Sequence, residues 1–222
     1  MSELIQQISI MAIPLLLAII LHEVAHGWLA NRLGDPTAKM AGRLTLNPLA
    51  HIDPIGTLLL PGLLILSHSP VLFGYAKPVP VNFNNLRNPK RDMVWVAASG
   101  AFANFLLAFI FSLLYRFFLL WIPLLTTETI QILFQPLVLM CRYGVVINVA
   151  LAVFNLIPIP PLDGGKVLAG FLSPRAAYQY SRIEPFGFLI LLALLFTHIL
   201  DWVVTPFIYF FTRLLLGSSM LW

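Results

Sequence analysis

The sequence predicts an all-α integral membrane protein, a single domain over residues 1–222 built as a polytopic bundle of about five to six transmembrane helices. Composition is the first reason, because 59% of the residues are hydrophobic and only 10% are charged. Soluble domains are about half apolar and a quarter charged. Length is the second reason, since several apolar stretches reach the roughly 20 residues that cross a bilayer. The lipid bilayer is therefore the expected environment.

Five apolar stretches supply the expected spans. The first is predicted to be a retained anchor and not a signal peptide, because no basic cluster precedes it and no small-residue cleavage site follows it. The last two are separated at Asp201 and Pro206, so they form either two helices or one bent helix. The spans are Ile8–Ala30, Met93–Trp121, Ile132–Leu156, Phe186–Leu200 and Trp202–Leu216.

The chain between the first two spans has a different character. Pro54–Phe73 is apolar but interrupted by glycines and prolines. These helix-breaking residues argue against one straight helix and favour a re-entrant segment that is buried in protein. Arg43–Leu46 and Val79–Phe83 show weak alternation of apolar and polar residues, which predicts short strands near the cytoplasmic face.

The basic residues predict the orientation in the membrane. Ten of the 13 lysines and arginines lie in the stretches 31–45, 75–92 and 158–182. The positive-inside rule places these three stretches in the cytoplasm and the N-terminus outside. The expected location is the cell membrane, and topology explains the net charge of +4 without a nucleic-acid partner.

Residues 22–26, near the cytoplasmic end of the first span, match the pattern H-E-x-x-H. Residues four apart on a helix share a face, so His22 and His26 can both reach one ion at about 2.0–2.1 Å. Glu23 lies next to that face and can take a proton from water without binding the ion. The pattern predicts a zinc site that keeps one position open for water.

The apolar residues around this pattern strengthen the prediction of a metal site. A charged side chain at mid-bilayer costs roughly 3 kcal/mol on insertion scales, so three ionisable groups in one span need partners. A hydrogen-bonded polar cluster at the membrane edge is the alternative. One metal ion would provide a partner for all three groups together.

A third ligand must come from elsewhere in the chain. Asp163 is the first candidate, because it follows the third span at the same depth as the histidines. Prolines before it and the pair Gly164–Gly165 after it allow a tight turn or a close approach of the backbone. Asp53 is the second candidate. Asp163 could instead be the N-cap of a helix at Lys166–Leu172, so the residues by themselves leave the third ligand open.

Two signatures together resemble the site-2 protease family of intramembrane zinc metalloproteases, in its compact bacterial branch without added domains. One is H-E-x-x-H at 22–26, and the other is N-x-x-P-x-P-P-x-D-G-G over Asn155–Gly165. The resemblance runs from about residue 10 to residue 172 and includes Gly42–Pro48, His51–Gly56 and Ser99–Asn104.

This resemblance implies that His22, His26 and Asp163 bind one zinc ion and that Glu23 is the catalytic acid/base. It implies an endopeptidase that uses metal-activated water, with transmembrane peptides or proteins as substrates. The active site is then expected toward the cytoplasmic side of the membrane.

Three asparagines are candidates for roles near the metal or within the bundle. The family pattern places an asparagine near the metal, which matches Asn155. Its amide could donate a hydrogen bond to an oxyanion or make a helix–helix hydrogen bond. Asn104 and Asn148 are expected to pack within the bundle.

The remaining polar residues of interest have several possible roles. His51 and Asp53 could shape the site or bind a second ion, but a structural polar cluster is the favoured interpretation. His68 and His198 are expected to be interfacial or packing residues.

Two other functions would also place histidines in a membrane. A metal transporter or sensor would distribute its ligands along a path, whereas these candidates lie at one depth. A catalytically inactive relative acting as a scaffold need not keep the whole His-Glu-His-Asp set. The pattern favours an enzyme.

Overall fold

The computed structural model describes residues 2–59, 63, 77–122 and 128–217. In these residues α-helix dominates, with short 3-10 turns at Pro48–Ala50 and Phe83–Asn85 and one π-helical turn at Pro54–Leu59. The prediction of an all-α protein is confirmed for this part of the chain. Its α-helices are α1 (Ser2–Leu33), α2 (Thr37–Met40), α3 (Pro89–Trp121), α4 (Glu128–Asn155), α5 (Asp163–Phe171), α6 (Pro174–Ser181), α7 (Glu184–Phe196) and α8 (Ile199–Leu216).

Four of the described helices are long and apolar enough to cross a membrane: α1 from Ile8, α3, α4 from Phe134, and α8. Helices α6 and α7, which meet at a bend of 63°, would make a fifth span if taken together. Four or five candidate spans agree only roughly with the expected five to six. The chain is a multi-pass membrane protein.

The last two helices separate earlier than the sequence predicts. The break lies at His198, whose φ of 57° places it in the left-handed region between α7 and α8. Asp201 lies in the first turn of α8 and Pro206 lies inside that helix. An acidic group is favourable at a helix N-terminus. Asp201 is therefore part of the first turn of α8 and does not separate two helices.

Helices α1, α3 and α4 pack against one another, and α8 packs against α3 and α4. Small residues in the shared interfaces allow the helix backbones to approach closely. The core cluster of α3, α4 and α8 consists of Ala108, Tyr115, Cys141, Val145, Val149 and Leu216. This packing places the inner faces of α1 and α3 side by side, where the histidines lie.

The two predicted strands are wrong, since residues 43–46 and 79–83 contain no strand. Side chains bind the backbone groups that a strand partner would have bound. Val79 N donates to the Glu23 carboxylate at 2.7 Å, and Asn82 N donates to Asp35 at 2.7 Å. In the other segment, His51 Nε2 donates to the carbonyl oxygen of Thr45 at 2.9 Å. The prolines at positions 78 and 80 have no N–H for a ladder, so the segment lies as an irregular cover over the end of α1.

The predicted re-entrant segment falls mostly outside the described residues. Of positions 54–73, the structure describes 54–59 and 63, and the first six form the π-helical turn. The path of the segment through the membrane, together with the role expected for His68, lies beyond that part of the chain.

Candidate metal centre

Helix α1 places His22 and His26 one turn apart, and both side chains are buried. Their Nε2 atoms lie 3.0 Å apart, with the two rings nearly perpendicular at 86°. This arrangement follows from the four-residue spacing, which stacks side chains on one helix face.

Helix α3 leaves room for both imidazoles because Gly100 lies against them. A Cβ atom at this position would lie 2.4 Å from His26 Nε2 and 2.6 Å from His22 Cε1. Any side chain would therefore push α3 away from α1. The absence of a side chain at Gly100 makes the site possible.

The outer nitrogen of each imidazole faces a hydrogen-bond acceptor on α3. His22 Nδ1 donates to Asn104 Oδ1 at 2.6 Å, and His26 Nδ1 donates to the Val96 carbonyl at 2.7 Å. In a neutral imidazole a proton on Nδ1 leaves a lone pair on Nε2. Both Nε2 lone pairs are therefore directed into the space between the rings, as metal ligation requires.

Asp163 enters the same space from the start of α5. Its Oδ2 atom lies 3.1 Å from His22 Nε2 and 3.0 Å from His26 Nε2. Lys166 binds the other carboxylate oxygen at 3.2 Å. The ammonium group of Lys166 favours the ionised carboxylate, which is the form that binds a metal ion.

The glycine pair after Asp163 allows the close approach that the sequence suggested. A Cβ at Gly164 would lie 2.2 Å from the Leu156 carbonyl oxygen, and one at Gly165 would lie 2.8 Å from Pro160 N. The N-cap role considered for Asp163 is wrong, because α5 begins at Asp163 and Leu162 occupies the N-cap position. The carboxylate is free of a capping role and faces the histidines.

The three donor atoms fit a zinc ion. Ligands at about 2.05 Å in a tetrahedron lie about 3.3 Å from one another. The observed distances between the donor atoms, 3.0, 3.0 and 3.1 Å, are close to this ligand–ligand distance. Two imidazole nitrogens and one carboxylate oxygen are also ligands that zinc prefers, and three ligands leave a fourth position for water. His22, His26 and Asp163 are the group within the described residues that could hold a metal ion.

A cavity of about 240 Å³ adjoins the three donor atoms. Glu23 lines it without belonging to the donor set, and Val79 N holds its Oε2 atom at 2.7 Å. The cavity is bounded by α1, α3, the end of α4, α5 and the irregular segment before α3. The lining residues are His22, Glu23, His26, Pro78, Val79, Val81, Phe83, Val96, Ala97, Asn155, Pro161, Leu162, Asp163 and Lys166.

Asn155 lies at the cavity, and Asn104 and Asn148 lie inside the bundle. Asn155 lines the cavity, and its Nδ2 donates to Leu151 O of its own helix at 3.0 Å. Asn104 and Asn148 are fully buried and bonded to each other at 2.9 Å. Asn104 also binds His22, a contact that sequence reasoning missed. Asn104 lies four residues after Gly100, so both residues share one face of α3. This spacing was the signal in the sequence that could have predicted the contact.

The other predicted polar residues lie outside the donor group. His51 Nε2 donates to the Thr45 carbonyl at 2.9 Å, and Asp53 accepts from Gly56 N at 2.8 Å. These two contacts join residues that are three to six positions apart in the chain. His198 is exposed, with Nδ1 2.7 Å from Asp201 Oδ2.

Comparison with known proteins adds an independent observation. The model of peptidase family M50 matches residues 122–198, the part of the chain that carries Asp163. YwhC of Bacillus subtilis, named as a candidate zinc metalloprotease, is 34% identical over 197 residues, which cover 88% of this chain and 84% of YwhC.

A second relative is Rip2 of Mycolicibacterium smegmatis, also named as a candidate zinc metalloprotease. It is 31% identical over 196 residues, which cover 88% of this chain and 70% of Rip2. Rip2 of Mycobacterium tuberculosis is 30% identical over 183 residues, covering 81% of this chain and 63% of that protein. No solved structure matches the chain significantly. Since the match to YwhC extends over most of both chains and agrees with the family model, this chain belongs to peptidase family M50, the site-2 protease family of zinc metalloproteases.

Proposed function

We propose that this chain is an intramembrane endopeptidase that hydrolyses peptide bonds in membrane-embedded segments of peptides or proteins. His22, His26 and Asp163 bind a single zinc ion, and Glu23 is the catalytic acid/base. The observation that carries the proposal is the convergence of three donor atoms, 3.0 to 3.1 Å apart, beside a cavity that also contains Glu23.

A bound zinc ion supplies Lewis acidity, which polarises a carbonyl group and lowers the pKa of coordinated water to about 7. Glu23 takes the proton of the attacking water and later gives it to the leaving amine. The hydrogen bond from Val79 N to Glu23 Oε2 orients the carboxylate within the cavity. The outer hydrogen bonds of His22 and His26 keep both rings aimed at the ion.

Asn155 is proposed to stabilise the oxyanion of the tetrahedral intermediate. Its amide has two N–H groups, of which one donates to Leu151 O. The side chain lines the cavity with Glu23 and the donor atoms. A second N–H group is thus available for an oxyanion in the cavity.

The substrate segment must be unwound where it is cut. In a transmembrane helix each carbonyl accepts a hydrogen bond from the same helix, so the scissile carbonyl is hidden while the helix is intact. The cavity beside Glu23 has a volume of about 240 Å³. An extended stretch of a few residues fits its size better.

The N-terminus is proposed to lie outside the cell membrane, with the active site toward the cytoplasm. The cavity is lined by residues 78–83 and 161–166, which belong to two of the three basic stretches. The positive-inside rule places such stretches in the cytoplasm. Water for hydrolysis would then enter from that side.

Replacement of Glu23 by Gln tests the mechanism. Glu23→Gln removes the proton acceptor but keeps the shape of the side chain, so kcat should fall by about 10²–10⁴-fold. Zinc content of the purified variant should remain that of the wild type, because Glu23 is not in the donor set. The measurements are cleavage of single-span substrates in detergent or liposomes and metal analysis of the same preparations.

Glu184→Gln is the matched control, since Glu184 is exposed at the start of α7. It should cleave at the wild-type rate. Unchanged cleavage by Glu23→Gln, or a wild-type protein that holds no zinc, would contradict the proposal.

A further inference from the structure

We propose that Asn104 is a positioning residue that sets the zinc affinity of the site by holding His22 in its ligating tautomer and orientation. This proposal rests on the proposed function, because it concerns the same metal site. The juxtaposition that carries it is a line of buried amides from α4 through α3 to the outer nitrogen of His22.

The line begins on α4, where Asn148 Nδ2 donates to Gly144 O at 2.8 Å. Asn148 Oδ1 accepts from Asn104 Nδ2 at 2.9 Å. Asn104 Oδ1 then accepts from His22 Nδ1 at 2.6 Å. Asn104 and Asn148 are both 0% exposed, so water does not replace any of these bonds.

The orientation of the Asn104 amide is determined by its other partners. Its Nδ2 donates to Ala18 O at 3.1 Å as well as to Asn148 Oδ1, so both N–H groups have acceptors. A flipped amide would place two acceptors against Oδ1 and an N–H group against His22 Nδ1–H. Leaving buried groups unsatisfied in this way is costly. The oxygen of Asn104 is therefore held toward His22.

This oxygen matters for zinc because of what it does to the imidazole. An acceptor at Nδ1 fixes the proton there, which leaves the Nε2 lone pair for the metal and makes that nitrogen a better ligand. Partners of this kind typically contribute 10–100-fold to metal affinity or activity. Asn104 touches the ligand and not the reacting atoms, so its role is positioning.

His26 provides an internal contrast. Its Nδ1 donates to the Val96 carbonyl, which belongs to the backbone and is unchanged by substitution. Ser99 Oγ is more distant from that nitrogen, at 3.4 Å, and donates to the same carbonyl at 2.6 Å. Among the described residues, Asn104 is thus the side chain whose removal should release one ligand ring while the other stays held.

The test compares Asn104→Leu with Asn104→Gln. Leu has nearly the same size but no acceptor, so the variant should bind zinc about 10–100-fold more weakly. Gln keeps an amide with both an acceptor oxygen and N–H donors, and it should retain more zinc affinity than Leu. Zinc affinity is measured on the purified full chain by competition with a chelator of known affinity. With saturating zinc, kcat should fall in Asn104→Leu while KM changes little.

Ser112→Ala is the control, because it removes another buried hydrogen bond of α3, from Ser112 Oγ to Leu215 O at 2.8 Å. It should leave zinc affinity unchanged. If Asn104→Leu does not fold, Asn104→Ser replaces it, since a serine hydroxyl is too short to reach His22 Nδ1. That variant should show the same loss of zinc affinity.

The positioning role of Asn104 and the protease mechanism would be contradicted by different results. Wild-type zinc affinity and kcat in Asn104→Leu or Asn104→Ser would overturn the positioning role and leave the protease mechanism standing. Equal losses of zinc affinity in Ser112→Ala would overturn it too, since the effect would then be general destabilisation. A wild-type protein without zinc would remove both proposals.

Discussion

Asn155 and Glu23 line the same cavity, but their side chains are held by different parts of the protein. Glu23 accepts from the backbone of the irregular segment at Val79, whereas Asn155 donates to its own helix. Glu23 is therefore sensitive to the position of that segment. Asn155 is held by the end of its own helix, α4, which makes it suitable as a fixed donor.

Replacement of Asn155 by Ala removes the proposed oxyanion donor. Loss of an oxyanion donor typically lowers kcat by about 10²–10³-fold, and KM and zinc content should change little because Asn155 holds no ligand. The measurement is steady-state cleavage of a single-span substrate with metal analysis alongside.

Asn84→Ala serves as the control for Asn155→Ala, since Asn84 is exposed and outside the cavity. A reduction of zinc content in Asn155→Ala, in place of a reduction of kcat, would show that this asparagine supports the metal ligands.

At the scale of elements, the contact of α1 with α3 depends on Gly100. In Gly100→Ala the new Cβ would lie 2.4 Å from His26 Nε2, so α3 must move or the imidazoles must rotate. Overpacking of this kind costs about 1–3 kcal/mol. We expect zinc binding to weaken and the thermal unfolding midpoint to fall, measured by chelator competition and by unfolding in detergent.

Cys141→Leu is the matched control on α4, because Cys141 is buried in the core cluster of α3, α4 and α8 and takes no part in the metal site. The larger side chain overpacks that cluster. It should lower stability without weakening zinc binding. Equal effects of Gly100→Ala and Cys141→Leu on zinc affinity would show that helix packing in general, and not the space at Gly100, determines the geometry of the donor atoms.

The segment before α3 is attached to the end of α1 by Asp35. This buried carboxylate accepts from Thr37 N at 3.2 Å, from Asn85 Nδ2 at 2.9 Å and from Asn82 N at 2.7 Å. Burial by itself would raise the pKa of Asp35, but hydrogen bonds from Thr37, Asn85 and Asn82 together lower it below its usual range. The ionised carboxylate therefore holds the wall of the cavity in place.

Replacement of Asp35 by Asn should destabilise the protein at neutral pH by about 3 kcal/mol, since hydrogen bonds to a charged group are lost. A lowered pKa in the folded state means that the stabilisation is present above the unfolded value of about 3.9 and is lost as the pH falls through the folded value. The difference between wild type and Asp35→Asn should thus shrink below about pH 4.

Thermal unfolding in detergent from pH 7 to pH 3 measures this difference. Asp201→Asn, which changes an exposed carboxylate beside His198, is the control. A difference between wild type and Asp35→Asn that stays constant over this range would contradict the ionised state of Asp35.

At the scale of the whole molecule, the orientation of the chain can be tested with its cysteine. Cys141 is buried, so Cys141→Ala gives a background for single-cysteine variants. Asn84→Cys should react with a membrane-impermeant maleimide only after cells are opened, because residues 75–92 are predicted to be cytoplasmic. Thr126→Cys should react in intact cells, because the stretch 125–128 contains no Lys or Arg and is predicted to lie outside. The reverse pattern would place the N-terminus inside.

Much of the bundle could be predicted because it depends on local properties. Apolar length identifies α1, α3, α4 and α8 as candidate spans, and a four-residue spacing places both imidazoles on one face of α1. The strands predicted at 43–46 and 79–83 are wrong for a nonlocal reason. Glu23 and Asp35 bind the N–H groups of Val79 and Asn82, and His51 binds the carbonyl of Thr45. No local pattern encodes such partners.

Local features of the sequence predict the membrane setting, the pair of histidines and the short set of acidic candidates for a third ligand. The fold brings Asp163 to 3.1 Å from His22, which lies 141 residues earlier in the chain. It also places Asn104 against the outer nitrogen of that ring. The spacing of residues along one helix involves only a few positions and can be read from the sequence. Contacts between distant residues depend on how closely the helices approach, which Gly100, Gly164 and the buried amides set together.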